Sequence, residues 1–270
     1  MVPNVLPNWA RLALSIAVIL SYLPQYHCIR EQGNSNGLSL YYVLFGLLSA
    51  TEHLTLGLLL NITEPRSDAF VETPATVGDW INLLQLGVVW LCALILFILS
   101  VRRSSATFSH CTTVTAIFVA VSSVSVVPVI AFAVTPKTPV FDHQRILDVF
   151  MYTHYLVFLP TTSILIPAAI IPQAREVLRR QYTHRALSLP GLASQAVVFA
   201  FLAISWMIRV NYPPYSPSWE EWYRLVGWPV VNDALFSFSQ GVLLLIAVRH
   251  TENVEFEHAE RRPLLHVSGN

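Results

Sequence analysis

Apolar residues fill seven stretches of the chain almost without interruption, at 9–27, 38–60, 80–101, 111–134, 151–171, 189–208 and 225–248. About 20 apolar residues at 1.5 Å each cross the hydrocarbon core of a bilayer, so each stretch predicts a transmembrane helix. The expected fold class is an all-α membrane protein. Polar positions inside these stretches recur at helical spacing. Asp233, Ser237 and Gln240 stand at i, i+4 and i+7; Asn82 and Gln85 share a face, and so do Ser49, Glu52 and His53. Polar stripes of this kind avoid lipid and face a neighbouring helix or a wet cavity.

Composition narrows the class. Hydrophobic residues make up 54% of the chain and charged ones 12%, against about a quarter charged in soluble domains. Sixteen Lys and Arg balance sixteen Asp and Glu, and no basic run is present, so no nucleic-acid partner is expected. Cys28, Cys92 and Cys111 are odd in number and widely spaced, which argues against a disulfide framework and a zinc site; no metal and no cofactor is expected. The first stretch lacks a basic flank and ends at Pro24-Gln25, so no cleavable signal peptide is expected.

Arginines gather on one side of a seven-crossing arrangement, among them Arg30, Arg102, Arg103, Arg175, Arg179 and Arg249. That bias predicts a cytosolic C-terminus and a luminal N-terminus. Asn61-Ile62-Thr63, a candidate glycosylation acceptor at Asn61, falls on the luminal side.

The chain also repeats. Pro24-Gln25 and Pro172-Gln173 each close an apolar stretch, a polar loop follows, and Leu-Ser-Leu opens the next stretch at 38–40 and again at 187–189. Residues 9–101 and 151–248 are thus two related three-helix units, 111–134 is a linker helix, and 249–270 is a cytosolic tail. Proline within a helix frees a carbonyl one turn back, and paired breaks in two halves point to the hinges and binding site of a transporter.

Two Pro-Gln pairs at equivalent places in a three-plus-one-plus-three chain resemble the PQ-loop repeat proteins, relatives of the SWEET sugar transporters and of lysosomal and vacuolar exporters of cystine and cationic amino acids. The resemblance covers roughly residues 9–250. It implies two parallel three-helix bundles joined by a linker helix, with a cavity between them that rocks about Pro24, Gln25, Pro172 and Gln173. It further implies a secondary transporter carrying a small polar solute across an organelle membrane, with or without a coupled proton. The second helix has no proline, unlike SWEET-type members, whereas the fifth has Pro160, Pro167 and Pro172. An acidic residue in the last helix, here Asp233, resembles the lysosomal exporters and turns the substrate expectation toward amino acids or related cationic or zwitterionic metabolites.

The candidate solute and proton path comprises Asp233, Glu52, His53, Asn82, Gln85, Ser237 and Gln240. Burial disfavours the charged form of a carboxylate, which makes Asp233 the first candidate proton carrier and Glu52 its rival. A purely structural alternative has Glu52 and His53 pair with each other or cap a neighbouring helix to fix packing. His154 is expected about one turn inside the fifth helix, at the membrane interface. In the tail, Glu260 followed by Leu264 and Leu265 has the spacing of an acidic dileucine signal, which predicts an adaptor-complex partner and a lysosomal or vacuolar membrane. Two further classes stay open: a receptor or scaffold that does not transport, and a seven-helix metal-dependent hydrolase. No His-x-x-x-His pair supports the hydrolase, and the expectation is a protein that is not an enzyme.

Overall fold

The computed structural model describes residues 6–62, 70–134, 140–179, 186–209 and 218–261, of which 140–144 and 253–261 are described by backbone alone. All regular structure among them is helical, in seven helices long and apolar enough to cross a membrane. We number them α1 (Asn8–Gln32), α2 (Leu40–Ile62), α3 (Val77–Arg102), α4 (Phe108–Val134) and α6 (Leu189–Met207), with two interrupted helices. Of these, α5 comprises Val140–Thr153, His154–Phe158, Leu159–Ala168 and Ile170–Arg179, and α7 comprises Trp219–Trp222, Tyr223–Gly227 and Trp228–Arg261.

Local chemistry sets several of the ends. Gly33 takes a left-handed φ of 69° and closes α1, a conformation that costs glycine little. Thr76 and Asp79 form a reciprocal capping box at the start of α3. Ser188 caps α6 by accepting from the Gly191 N–H, and Pro190 fits the first turn, where its missing N–H is not needed.

Both interruptions have the same cause. Pro160 has no N–H to give the carbonyl of Leu156, and Pro229 none to give that of Leu225. In each case the helix widens into a π-turn that ends two residues before the proline, at His154–Phe158 and at Tyr223–Gly227. In the first, the Leu159 N–H donates to the carbonyl of His154. A second break in α5, at Ala169, lies between Pro167 and Pro172.

Burial ranks the helices. In α2, 78% of the most apolar window is buried, against 11% in α4, so α2 runs through the middle and α4 lies at the edge against it. Within the first half, α3 packs on both α1 and α2; within the second, α7 packs on both α5 and α6. The halves meet where α1 touches α6 and α2 touches α5. Large apolar side chains such as Leu20, Ile130, Phe201 and Leu245 point outward, as a lipid-facing surface requires.

Candidate functional site

At the Pro-Gln end of the bundle, each glutamine reaches across to the other half. The Gln25 carbonyl accepts from the Ser188 N–H at 2.9 Å, and its amide donates to the carbonyl of Ala186. The Gln173 carbonyl accepts from the Ser39 N–H at 2.8 Å, and its amide donates to the carbonyl of Gly37 at 2.8 Å. The register is the same in both. A side-chain amide spans the first leucine of Leu-Ser-Leu, bonding the backbone on either side of it, as a neighbouring strand would. These bonds satisfy backbone groups just ahead of α2 and α6 that the helices themselves leave without partners. Both glutamines are buried, and the Ala186 N–H donates to the Asn36 carbonyl at 2.7 Å, which ties the two loops together directly. The two halves are fastened to each other at the Pro-Gln end.

Between the halves lies a narrow cavity of about 30 Å³, with Ser49, His53, Gln85, Trp206, Asn232 and Asp233 among its walls. That is room for about two water molecules. A smaller space of about 20 Å³, sharing Tyr22, Gly46, Ala93 and Phe236 with it, continues toward Tyr42 and Gln195. Ser49 donates to Asn232 Oδ1 at 2.7 Å, and the His53 ring stands edge to face on Trp228 with centroids 4.9 Å apart.

The opposite end is plugged by cations. The Arg209 guanidinium, buried just past the end of α6, donates to Asn82 Oδ1 at 3.3 Å, to Gln85 Oε1, and to Ser205 Oγ at 2.8 Å. Its Cζ lies 4.7 Å from the centre of the Trp206 ring, within cation–π range. Arg11, buried on α1, donates to the same Asn82 oxygen at 3.3 Å. Burial, and secondarily Arg11, push the Arg209 guanidinium down to about 9, so it stays charged at neutral pH. Phe70 stacks on Trp206 with centroids 5.8 Å apart. Gly78 leaves the space Arg11 uses: a Cβ there would lie 2.6 Å from Arg11 Nη1.

The predicted polar stripes divide between these places. Asp233, His53 and Gln85 reach the cavity, and Asn82 joins Gln85 at the cationic plug. Ser237 donates to the Ala196 carbonyl at 2.6 Å, and Gln240 accepts from the Tyr42 hydroxyl at 2.8 Å, so both serve helix contacts. Glu52 lines neither space. The expected Glu52–His53 pair is not formed, because neighbours on a helix project about 100° apart. Glu52 instead bonds His154 Nδ1 at 2.7 Å, both side chains being fully buried, and His154 lies between Phe150 and Phe158 with centroids 4.1 and 4.8 Å away. His154 is therefore buried against α2, well inside a helix that begins at Val140.

Comparison with models of protein families, with curated proteins and with solved structures returned no match.

Some expectations fall at the edge of the description. Asn61 turns back on its own helix, donating from Nδ2 to the Gly57 carbonyl at 2.8 Å, and Thr63 lies outside the described residues. Glu260 belongs to the last turn of α7, which continues through residues 249–261 of the expected tail. Leu264 and Leu265 lie outside the described residues. Sequence reading missed Arg209, Arg11, Trp206 and the place of His154 in this region. Arg11 and Arg209 sit at helix ends, where a loop arginine and a buried one look alike; Trp206 sits where an interfacial tryptophan is the usual reading.

Proposed function

We propose that the chain is a secondary transporter of the PQ-loop kind, in which two parallel three-helix units joined by α4 pass a small polar solute, an amino acid or related metabolite, through the cavity between them. The observation that carries this reading is the pair of crossed glutamine clasps, with Gln25 of the first half on residues 186–188 and Gln173 of the second on residues 37–39. A solute pathway that opens to one side at a time needs a closure that binds the halves firmly and can be undone. Neutral hydrogen bonds serve that end, each worth about 1 kcal/mol net because water replaces them on opening. Pro24 and Pro172, each one residue before a clasping glutamine, are the hinges. The plug of Arg209 and Arg11 on Asn82 is the closure of the other end. Asp233 is the proton-sensitive group in the cavity, and the C-terminus is cytosolic in a lysosomal or vacuolar membrane, with Glu260, Leu264 and Leu265 as the address read by an adaptor complex.

The test is exchange in reconstituted liposomes, using labelled amino acids, sugars and nucleosides in separate vesicle batches. Saturable exchange of one class, abolished in Gln25→Ala/Gln173→Ala vesicles, is the expected result. Folded protein in the vesicles with no exchange of any class above protein-free controls would reject transport.

A further inference from the structure

We propose that the solute is a zwitterion, its carboxylate taken by Arg209 and Gln85 and its ammonium by Asp233. The inference rests on the reading of the cavity as the solute's place. Its first support is a buried carboxyl group and a buried guanidinium that do not meet. Asp233 is 6% exposed and Arg209 3%, and both lie near the same residue: Arg209 over the Trp206 ring, and Asp233 on the wall of the cavity that Trp206 also lines. Charges this deep are normally paired, since an isolated one loses its hydration without return. Among the described residues no ion pair within 4.0 Å joins Asp233 to Arg209. Each group is left for something else to complete.

The second support is a pair of donors without acceptors where Gln85, on the cavity wall, meets Arg209. Gln85 turns its carbonyl to Arg209, which leaves Nε2 without a partner, and Arg209 Nε also has none among the described residues. His53 Nε2, on the cavity wall, is likewise unpartnered. Buried polar atoms left unmade cost more than a made bond returns, so a ligand that supplies oxygen acceptors here is favoured. A carboxylate has two such oxygens and accepts from a guanidinium edge and an amide together. A purely cationic solute would complete Asp233 and leave these donors bare, while a purely anionic one would do the reverse. A sugar would separate the charges no less than they are now. Only a solute bearing both groups closes both ends of the gap.

The experiment measures binding to purified full-length protein by thermal shift, independently of transport. The probes are the common L-amino acids and, for each that binds, its methyl ester, its N-acetyl derivative and the corresponding deaminated acid, with glucose as the neutral control. The expected result is binding of at least one amino acid, weakened about tenfold or more by each single blockade, as loss of one charge-assisted contact requires. Arg209→Gln should remove the preference for acid over ester and keep the penalty for N-acetylation; Asp233→Asn should do the opposite. An ester that binds as well as its acid, or stabilisation by glucose alone, overturns the proposal, as does an absence of binding by every amino acid. The acid-to-ester comparison on the unaltered chain stands even where Arg209→Gln does not fold. Zwitterion binding without liposome exchange would reject transport and keep this inference; exchange of sugars alone would keep transport and reject it.

Discussion

Replacing Gln173 by Ala removes one acceptor and one donor at once, and the cost is set by what they leave behind. Ser39 N–H and the Gly37 carbonyl lose their partners in a place where Ser39 is 7% exposed and Leu38 6%. Two hydrogen bonds at roughly 1 kcal/mol each give about 2 kcal/mol, rising toward about 4 kcal/mol if neither group finds water. If the clasp exists only when the Pro-Gln end is closed, that energy is lost from the closed state alone, and the open fraction rises about 30-fold. Gln25→Ala should do the same through Ala186 and Ser188, because the geometry repeats there. The assay is maleimide labelling of a Leu38→Cys reporter in a chain whose Cys28, Cys92 and Cys111 are Ala. Labelling from the Pro-Gln side should speed up about 30-fold in either glutamine variant and further in the double. Unchanged labelling in variants whose melting temperature has fallen would mean that the clasps persist in every state, and the closure argument would fail.

Pro24→Ala and Pro172→Ala restore a backbone donor and should straighten the helices, slowing exchange while leaving insertion intact; accessibility labelling from each side checks this, and full exchange in both variants would count against hinges. Asp233→Asn should lose the dependence of flux on an imposed pH gradient while Glu52→Gln keeps it, and the reverse pattern moves the proton to the Glu52–His154 pair. Glu52→Ala leaves His154 buried without its partner and should cost about 3–5 kcal/mol in a thermal or denaturant melt; Glu52→Leu with His154→Phe should recover most of it, the new ring stacking between Phe150 and Phe158. Leu264→Ala with Leu265→Ala should send a tagged chain to the cell surface, and unchanged residence would show that the address lies elsewhere.

The helices were legible because hydrophobic length is a direct consequence of bilayer thickness, and all seven stretches fall in helices long and apolar enough to cross a membrane. The Pro-Gln and Leu-Ser-Leu repeats were legible too, but their meaning was not. Sequence spacing suggested that each motif acts on its own helix, whereas Gln25 and Gln173 each act on residues well over a hundred positions away. The stripe on α7 illustrates a second limit. Spacing of i, i+4 and i+7 places Asp233, Ser237 and Gln240 on one face, yet a single face meets a cavity, α6 and α2 in turn as it descends. Position in space, unlike direction, is not periodic. Glu52 and His53 show the converse: adjacency in the chain suggested a pair, and helical geometry sent one to the cavity and the other to α5.

The crossed clasps make each half self-complementary. Each carries the glutamine that fastens and the loop that is fastened, so a two-fold rotation would let one half fasten to a copy of itself as well as to its sequel. Fastening by backbone and a single amide makes no demand on what lines the interior. The fastening is thereby separated from the lining: with both halves on one chain, one half can carry an Arg209 and an Asp233 that the other lacks, and the hydrogen bonds that join the halves need not change.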